Sequence, residues 1–304
     1  MAILRSGDVD IYQDSCGSGP PLLFINGFGP PCEWIETYYL PHFKSRFACA
    51  WFDLRSVGRS SASASDAYDL SDHAADAACV MDEMGWQTAH VWGASMGAAI
   101  ALQLAADKPG RVRSMAICAA DSGMPEIFQE RYRAVLEARR GYMNAVASQN
   151  GDPEGAADRM LAAYFSDPKA PESQCVRAWL VDVFRKRPIE ALMPSFDAIA
   201  RMDIPADLPE PGEAPSGSGG FSAVWQSLSD IRAPLLLLQG FGDTLVHRDA
   251  AYFLLDRIER IELRVIKPTA HSFALSPEQL DGMADWICAR EAEWASSSTD
   301  SQRA

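Results

Sequence analysis

The stretch His90-Val91-Trp92-Gly93-Ala94-Ser95-Met96-Gly97-Ala98-Ala99-Ile100-Ala101 decides the fold. It reads as a short apolar strand, then Gly-x-Ser-x-Gly, then a run of good helix formers reaching Ala106 and stopping near Pro109-Gly110. The pattern predicts a strand-to-helix turn so sharp that Ser95 takes up strained backbone geometry with its hydroxyl exposed. Glycine is expected at 93 and 97 because a side chain there would strike the neighbouring strand or helix where the chain doubles back. A serine at a helix N-terminus also has backbone N–H groups and a positive dipole end beside it, suited to developing negative charge. Ser95 is therefore the candidate nucleophile.

Working outward, the same strand-then-helix rhythm recurs. Residues 2–14 carry short apolar stretches that read as an opening hairpin. Leu22-Leu23-Phe24-Ile25 comes next, a continuous apolar run of the kind a strand buried on both faces requires, ending in the loop Asn26-Gly27-Phe28-Gly29-Pro30-Pro31. After a helical stretch near 34–44, residues 47–52 read as a second buried strand closing on Asp53. Residues 69–85 predict an amphipathic helix with Ser71 as its N-cap and a stripe of Ala74, Ala78, Met81 and Met84. Val112 to Cys118 predicts the strand after the Ser95 helix. Strand and helix in alternation mean a mostly parallel central sheet with helices on both faces, an α/β class.

The rhythm changes over 123–229. Phe128, Tyr132, Val135, Leu136, Tyr142, Met143 and Val146 recur at helical spacing, and further helices are expected near 153–165, 172–186 and 189–201. Residues 203–220 are rich in Pro, Gly and acid and predict a mobile loop. The expected organisation is a sheet domain of 1–122 and 230–304 with 123–229 inserted as a helical cap. Strand patterns return at Leu235-Leu236-Leu237-Leu238-Gln239 and at 261–266. A last amphipathic helix is expected over 277–290, then a polar, frayed tail from Ser296.

Composition narrows the function classes. With Lys+Arg 27 against Asp+Glu 41 the formal charge is −14, and no segment is basic, so nucleic acid and anionic membranes are poor partners. No apolar run approaches a transmembrane span, and the first residues do not read as a signal peptide. The seven cysteines are scattered without a C-x-x-C, which predicts neither a zinc site nor a disulfide framework and fits a reduced cytoplasmic setting. No cofactor or metal is expected. Homo-oligomerisation is left open.

A serine hydroxyl needs a base, and the base needs an orienting group. Of the five histidines, His42 reads as a surface residue in a helical stretch, and His73 and His90 read as structural. His247 reads as a helix-start residue, too close to Asp243 in sequence to turn freely toward Ser95. His271 comes after the final strand at the carboxyl edge of the sheet, where open α/β sheets place their sites. Two acids reach that edge. Asp243 lies beyond the Leu235–Gln239 run in a Gly-x-x-Asp loop and is favoured; Asp121 lies beyond the Val112–Cys118 strand.

At these residues the chain resembles the α/β-hydrolase superfamily. The order Ser95, Asp243, His271 is that superfamily's order of nucleophile, acid and histidine. Asp53-x-Arg55-x-x-Gly58-x-Ser60 is similar to the family's D-x-R-G-x-G-x-S loop, with Ser56 standing where the family has glycine. Asn26 resembles the Asn-bearing oxyanion loop of the enol-lactonase branch. The resemblance implies a serine hydrolase with Ser95, Asp243 and His271 as catalytic residues and the backbone amides of Phe28 and Met96 as oxyanion-hole donors. It implies an acyl-enzyme route to a small-to-medium, largely apolar ester, lactone or thioester. C–C bond hydrolysis with the same triad, or a non-hydrolytic cyclase or ligand-binding relative, are the alternatives.

Overall fold

The computed structural model describes residues 1–27, 32–61, 63, 68–120, 151–164, 169, 171–186, 227–240, 243, 246, 248–266, 271 and 275–301. The strands are β1 (Ala2–Ser6), β2 (Val9–Gly17), β3 (Pro21–Ile25), β4 (Ala48–Phe52), β5 (Ala89–Ala94), β6 (Val112–Cys118), β7 (Leu235–Gly240) and β8 (Ile261–Ile266). They form one sheet in the order β1-β2-β4-β3-β5-β6-β7-β8. Only β2 breaks the parallel direction, pairing antiparallel with β1 and with β4. The expected opening hairpin and the all-apolar strands are both present. Every residue of β5 and β7 is buried, as helices packed on both faces demand.

Helices connect these strands. A π-helical turn, Ile35–Tyr39, runs into α1 (Leu40–Phe43), and α2 (Leu70–Glu83) and α3 (Met96–Asp107) come after it. Then come α4 (Pro153–Tyr164), α5 (Pro171–Lys186), α6 (Arg248–Arg257) and α7 (Pro277–Ser301). α3 is buried from Met96 to Ala105, because it lies between the sheet and α2. Its many alanines permit that close approach. Phe24, Phe43, Trp92 and Tyr39 stack edge-to-face or tilted in the core, with Phe24 and Phe43 centroids 5.3 Å apart. Burying each such ring contributes on the order of 1.5–3 kcal/mol. Among the described residues no helix is long and apolar enough to cross a membrane.

The segment between β6 and β7 joins adjacent strands, since Met115 pairs with Leu235 and Cys118 with Leu238. Of this segment α4 and α5 are described; they pack on each other, and Ala156, Met160, Leu161, Leu180 and Phe184 are buried. The expected helix at 189–201, the loop at 203–220 and the aromatic positions from Phe128 to Tyr142 lie outside the described residues.

Two expectations are corrected. Asp69, not Ser71, caps α2: its side chain accepts from the amides of Ser71 and Asp72, and Asp72 bonds back to the Asp69 amide. This reciprocal capping box satisfies first-turn donors and leaves Ser71 inside the helix. The last helix does not stop at 290 but runs to Ser301, with Ser296 and Ser297 hydroxyls bonding back to Glu293 and Trp294 carbonyls. Both hydroxyls thereby find an acceptor within the helix, the usual choice for a serine on a helix.

Ser56 has φ +64, the left-handed region that explains why the related loop carries glycine there. Its amide bonds to the Ser61 carbonyl, 2.9 Å, so the turn is held from outside. Left-handed backbone costs a non-glycine residue about 1–2 kcal/mol. Ser56→Gly is therefore expected to raise stability by about 0.5–1 kcal/mol after glycine's extra unfolded-state entropy is subtracted. Denaturant titration checks this, and a loss of stability would mean that the 3.4 Å contact from Tyr68 Oη to Ser56 Oγ outweighs the strain.

The same loop supports a buried pair. Arg55 donates to both Asp76 oxygens, 2.8 and 2.9 Å, and burial pushes the Asp76 carboxyl up against the pull of that guanidinium. His73 lies fully buried nearby, edge-on to Tyr68. Burial, and then the Arg55 charge, lower its pKa to about 3. An unfolded histidine titrates near 6.5. Between those values the unfolded chain holds a proton that the folded chain refuses, so stability falls as pH drops below 6.5, by about 1.4 kcal/mol per unit. His73→Leu is expected to flatten that slope in denaturant titrations at pH 7, 6 and 5; an unchanged slope would assign the acid sensitivity to other groups.

Candidate active site

The site grows from the turn between β5 and α3. Ser95 has φ +52 and ψ −118, a conformation that only tight surroundings maintain. A Cβ on Gly93 would lie 2.6 Å from the Gly97 carbonyl oxygen, and one on Gly97 would strike the carbonyl oxygens of Ile25 and Asn26 at the end of β3. Both glycines are thus required by close approach, Gly93 to the helix and Gly97 to the neighbouring strand. The Ser95 amide bonds to the Cys118 carbonyl, 2.9 Å, and the Ala119 amide to the Leu238 carbonyl, 3.0 Å. These bonds lace the carboxyl ends of β5, β6 and β7 just beyond the sheet ladder.

Three of the residues singled out in the sequence meet at this edge. His271 Nε2 is 2.8 Å from Ser95 Oγ, and His271 Nδ1 is 2.9 Å from Asp243 Oδ2 and 3.1 Å from Oδ1. The imidazole and the carboxylate are nearly sealed from solvent, 3% and 1% exposed at the side chain. Asp243 Oδ1 also accepts the Val246 amide, 2.9 Å, and Oδ2 faces Gln239 Nε2 at 3.4 Å. The bond from the Val246 amide holds the carboxylate from its own side of the chain, just before α6 begins.

Met96 is the first residue of α3, and its amide is among the first-turn donors that helix geometry leaves without an intrahelical acceptor. Phe28 and Asp121 lie outside the described residues, as does His247. Asn26 is buried, and its Oδ1 accepts the Gly27 amide at 3.0 Å, fixing the entry to the loop after β3. The other described histidines lie elsewhere. His42 bonds to Asp281 at the surface, and His90 is buried between Ser114 and Glu291.

Two contributors were not singled out in the sequence. Gln239 ends a run of four leucines, and a lone amide closing an otherwise apolar strand is the signal that would have found it. Cys118, one strand over, is fully buried; burial and the nearby Asp243 carboxylate push its thiol up to about 12, so it stays neutral.

A second cluster lies behind the loop. Asp53, fully buried at the side chain, accepts the Cys32 amide at 2.6 Å and the Arg59 amide at 2.7 Å. Cys32, Glu33 and Asp53 bring potential ligand atoms within 4.8 Å of one another. The Arg59 guanidinium already bonds all three, at 3.0, 3.2 and 3.2 Å, so the cation this cluster accommodates is the protein's own. Arg59 also stacks on Tyr12, 3.4 Å from its centroid.

Among proteins similar to the chain is one named as a candidate carbamate hydrolase of Azorhizobium caulinodans, 25% identical over 95% of this chain and 98% of its own length. Among solved structures, an alpha/beta hydrolase enzyme from a Medee basin deep-sea metagenome library superposes with a TM-score of 0.74, covering 93% of this chain and 95% of that one at 17% identity. Est816, described as an N-acyl homoserine lactone degrading enzyme, superposes with a TM-score of 0.68 at 26% identity, covering 93% and 98%. The family model for the alpha/beta hydrolase fold matches residues 20–277, most of the sequence, and the chain belongs to that family.

Proposed function

We propose that the protein is a serine hydrolase that cleaves a small-to-medium, largely apolar carboxylic ester, lactone or thioester through an acyl-enzyme at Ser95. The observation that carries this reading is the unbroken hydrogen-bonded chain from Ser95 Oγ through His271 to Asp243. Ser95 Oγ attacks the substrate carbonyl while His271 Nε2 takes its proton. Asp243 holds the imidazole by Nδ1 and stabilises the imidazolium that forms. The oxyanion develops beside the Met96 amide and the α3 N-terminus, with the Phe28 amide as the second donor. His271 then returns the proton to the leaving oxygen or sulfur. Water, activated by the same histidine, attacks the acyl carbonyl and frees Ser95.

The relatives support the substrate class: a carbamate and a lactone are both carbonyl compounds with a heteroatom leaving group. Segment 123–229 joins β6 to β7. It leaves the sheet beside β5, which leads to Ser95, and returns on β7, which leads to Asp243. We assign it as a helical cap over the site, with Phe184 among its apolar residues, that excludes water from the acyl-enzyme.

Ser95→Ala is expected to lower kcat on the order of 10⁶-fold while leaving the fold intact. Wild-type protein should take up one fluorophosphonate per chain at Ser95 and hydrolyse a series of activated esters and lactones. Activity within tenfold of wild type in the alanine variant would sink the serine mechanism.

A second comparison tests the acid. An aspartate that orients the base is worth roughly 10⁴ in kcat on change to asparagine. Asp243→Asn should lose several orders of magnitude and Asp121→Asn little. The reverse ranking, with both variants folded, would move the acid to the end of β6.

A further inference from the structure

Beyond the site, the large exposed apolar side chains among the described residues are Met1, Ile3, Tyr252, Leu255 and Val265. The last three lie on α6 and β8, at the sheet edge opposite β1. Among the described residues β8 pairs only with β7, so its outer row of backbone N–H and C=O groups faces no strand. Such an edge templates pairing with another strand unless charge, proline or a bulge blocks it. β8 contains no proline, and its two charges are arranged in a particular way.

The strand reads Ile261-Glu262-Leu263-Arg264-Val265, which is self-complementary about Leu263. Let two copies meet antiparallel across a two-fold axis normal to the sheet, with Leu263 opposite its own copy. Glu262 of each then faces Arg264 of the other, and Ile261 of each faces Val265. Directly opposed residues project from the same face, so opposite charges meet on one face and apolar groups on the other. Centring the pairing on Glu262 or on Arg264 would instead set like charges against each other.

Each copy holds the two charges ready. Arg264 Nε donates to Glu262 Oε1 at 2.8 Å, and Trp286 Nε1 of α7 donates to Glu262 Oε2 at 2.9 Å. Both charged side chains remain about half exposed, 43% for Arg264 and 48% for Glu262, with room for a partner from outside. The opposite edge lacks this symmetry. Centred on Leu4, β1 would set Ile3 against Arg5, and Arg5 is already bonded to Asp10 at 3.0 Å.

We propose that the β8 edge is a homodimer interface, in which two copies join their sheets into one continuous sheet. Glu262 and Arg264 of both copies form a four-charge network across the two-fold axis. Val265, Tyr252 and Leu255 supply the apolar rim. An isologous arrangement of this kind closes on itself and does not propagate into filaments.

Sedimentation equilibrium of the full chain at micromolar concentration is expected to give twice the 33.2 kDa chain mass. E262R and R264E, made singly, each set like charges together at two places, and each should weaken association by about tenfold or more. The double variant E262R/R264E exchanges the charges and should restore association to within about threefold of wild type. I3R on β1 should leave association unchanged, and melting temperatures should show that every variant folds. Leu263→Cys adds a reading that does not depend on charge, because each cysteine would face its own copy and mild oxidation should yield a covalent dimer. A monomeric wild type, single variants that associate like wild type, a double variant as weak as the singles, or no covalent dimer from Leu263→Cys would each overturn the proposal.

Discussion

The turn at Ser95 is the constraint on which the rest of the structure depends. A non-glycine residue at φ +52 and ψ −118 stores strain on the order of 1–3 kcal/mol. That strain persists because relaxation is blocked from two sides. Gly97 rests against the carbonyl oxygens that end β3, and Gly93 against the Gly97 carbonyl. For β3 to stand there it must be a central strand, and for Gly93 to fit, α3 must start at once. The placement of β3 beside β5 and the immediate start of α3 are what hold this one turn. Its consequence is chemical as well as geometric, since the serine hydroxyl is aimed out of the sheet toward the imidazole.

Burial then decides how the polar groups around the turn must behave. His271 and Asp243 are almost without solvent, so each lone pair or proton needs a protein partner. Among the described residues the carboxylate meets the imidazole, the Val246 amide and the Gln239 side chain. The same rule governs Asp53 behind the loop after β3, where two amides and the Arg59 guanidinium take up its oxygens. In this way the segment after β4 is tied to Cys32, at the far end of the loop that begins at Asn26.

Most of this was legible in the sequence where the physics is local. Buried parallel strands must be continuous apolar runs, so residues 22–25, 47–52 and 235–239 announced themselves. Gly-x-Ser-x-Gly carries its steric reason in five residues. The histidine and the favoured acid were found in the loops at the carboxyl ends of the last two strands. Features that depend on distant partners escaped. Ser56 looked anomalous because a positive φ is invisible in a residue name, and the bond from its amide to Ser61 is needed to see why the turn holds. Asp69 outcompeted Ser71 as a cap because Asp72 answers it, a reciprocal contact rather than a propensity. Arg59 could not be placed against Cys32, Glu33 and Asp53 until the loops after β3 and β4 were brought side by side. α7 ran past its expected end into a polar stretch, where serine hydroxyls bond back to carbonyls one turn earlier.

The two lateral edges of the sheet show why a fold with one catalytic edge still has structural decisions to make at the others. At the carboxyl edge Asp53, Ser95 and Gly240 stand at or just beyond the ends of β4, β5 and β7, and backbone bonds beyond the ladder lace β5, β6 and β7 together. The lateral edges face a different requirement, because an open strand there costs nothing to extend and must be either closed or used. β1 is guarded by Arg5 and its bond to Asp10, and a pairing of β1 with itself centred on Leu4 would set Ile3 against Arg5. β8 has two charges of opposite sign placed symmetrically about a leucine, each partly satisfied and each still exposed. A guard made of one sign would repel every copy of itself. A pair balanced about a central residue repels other registers and admits one, so the same two side chains act as barrier and as key.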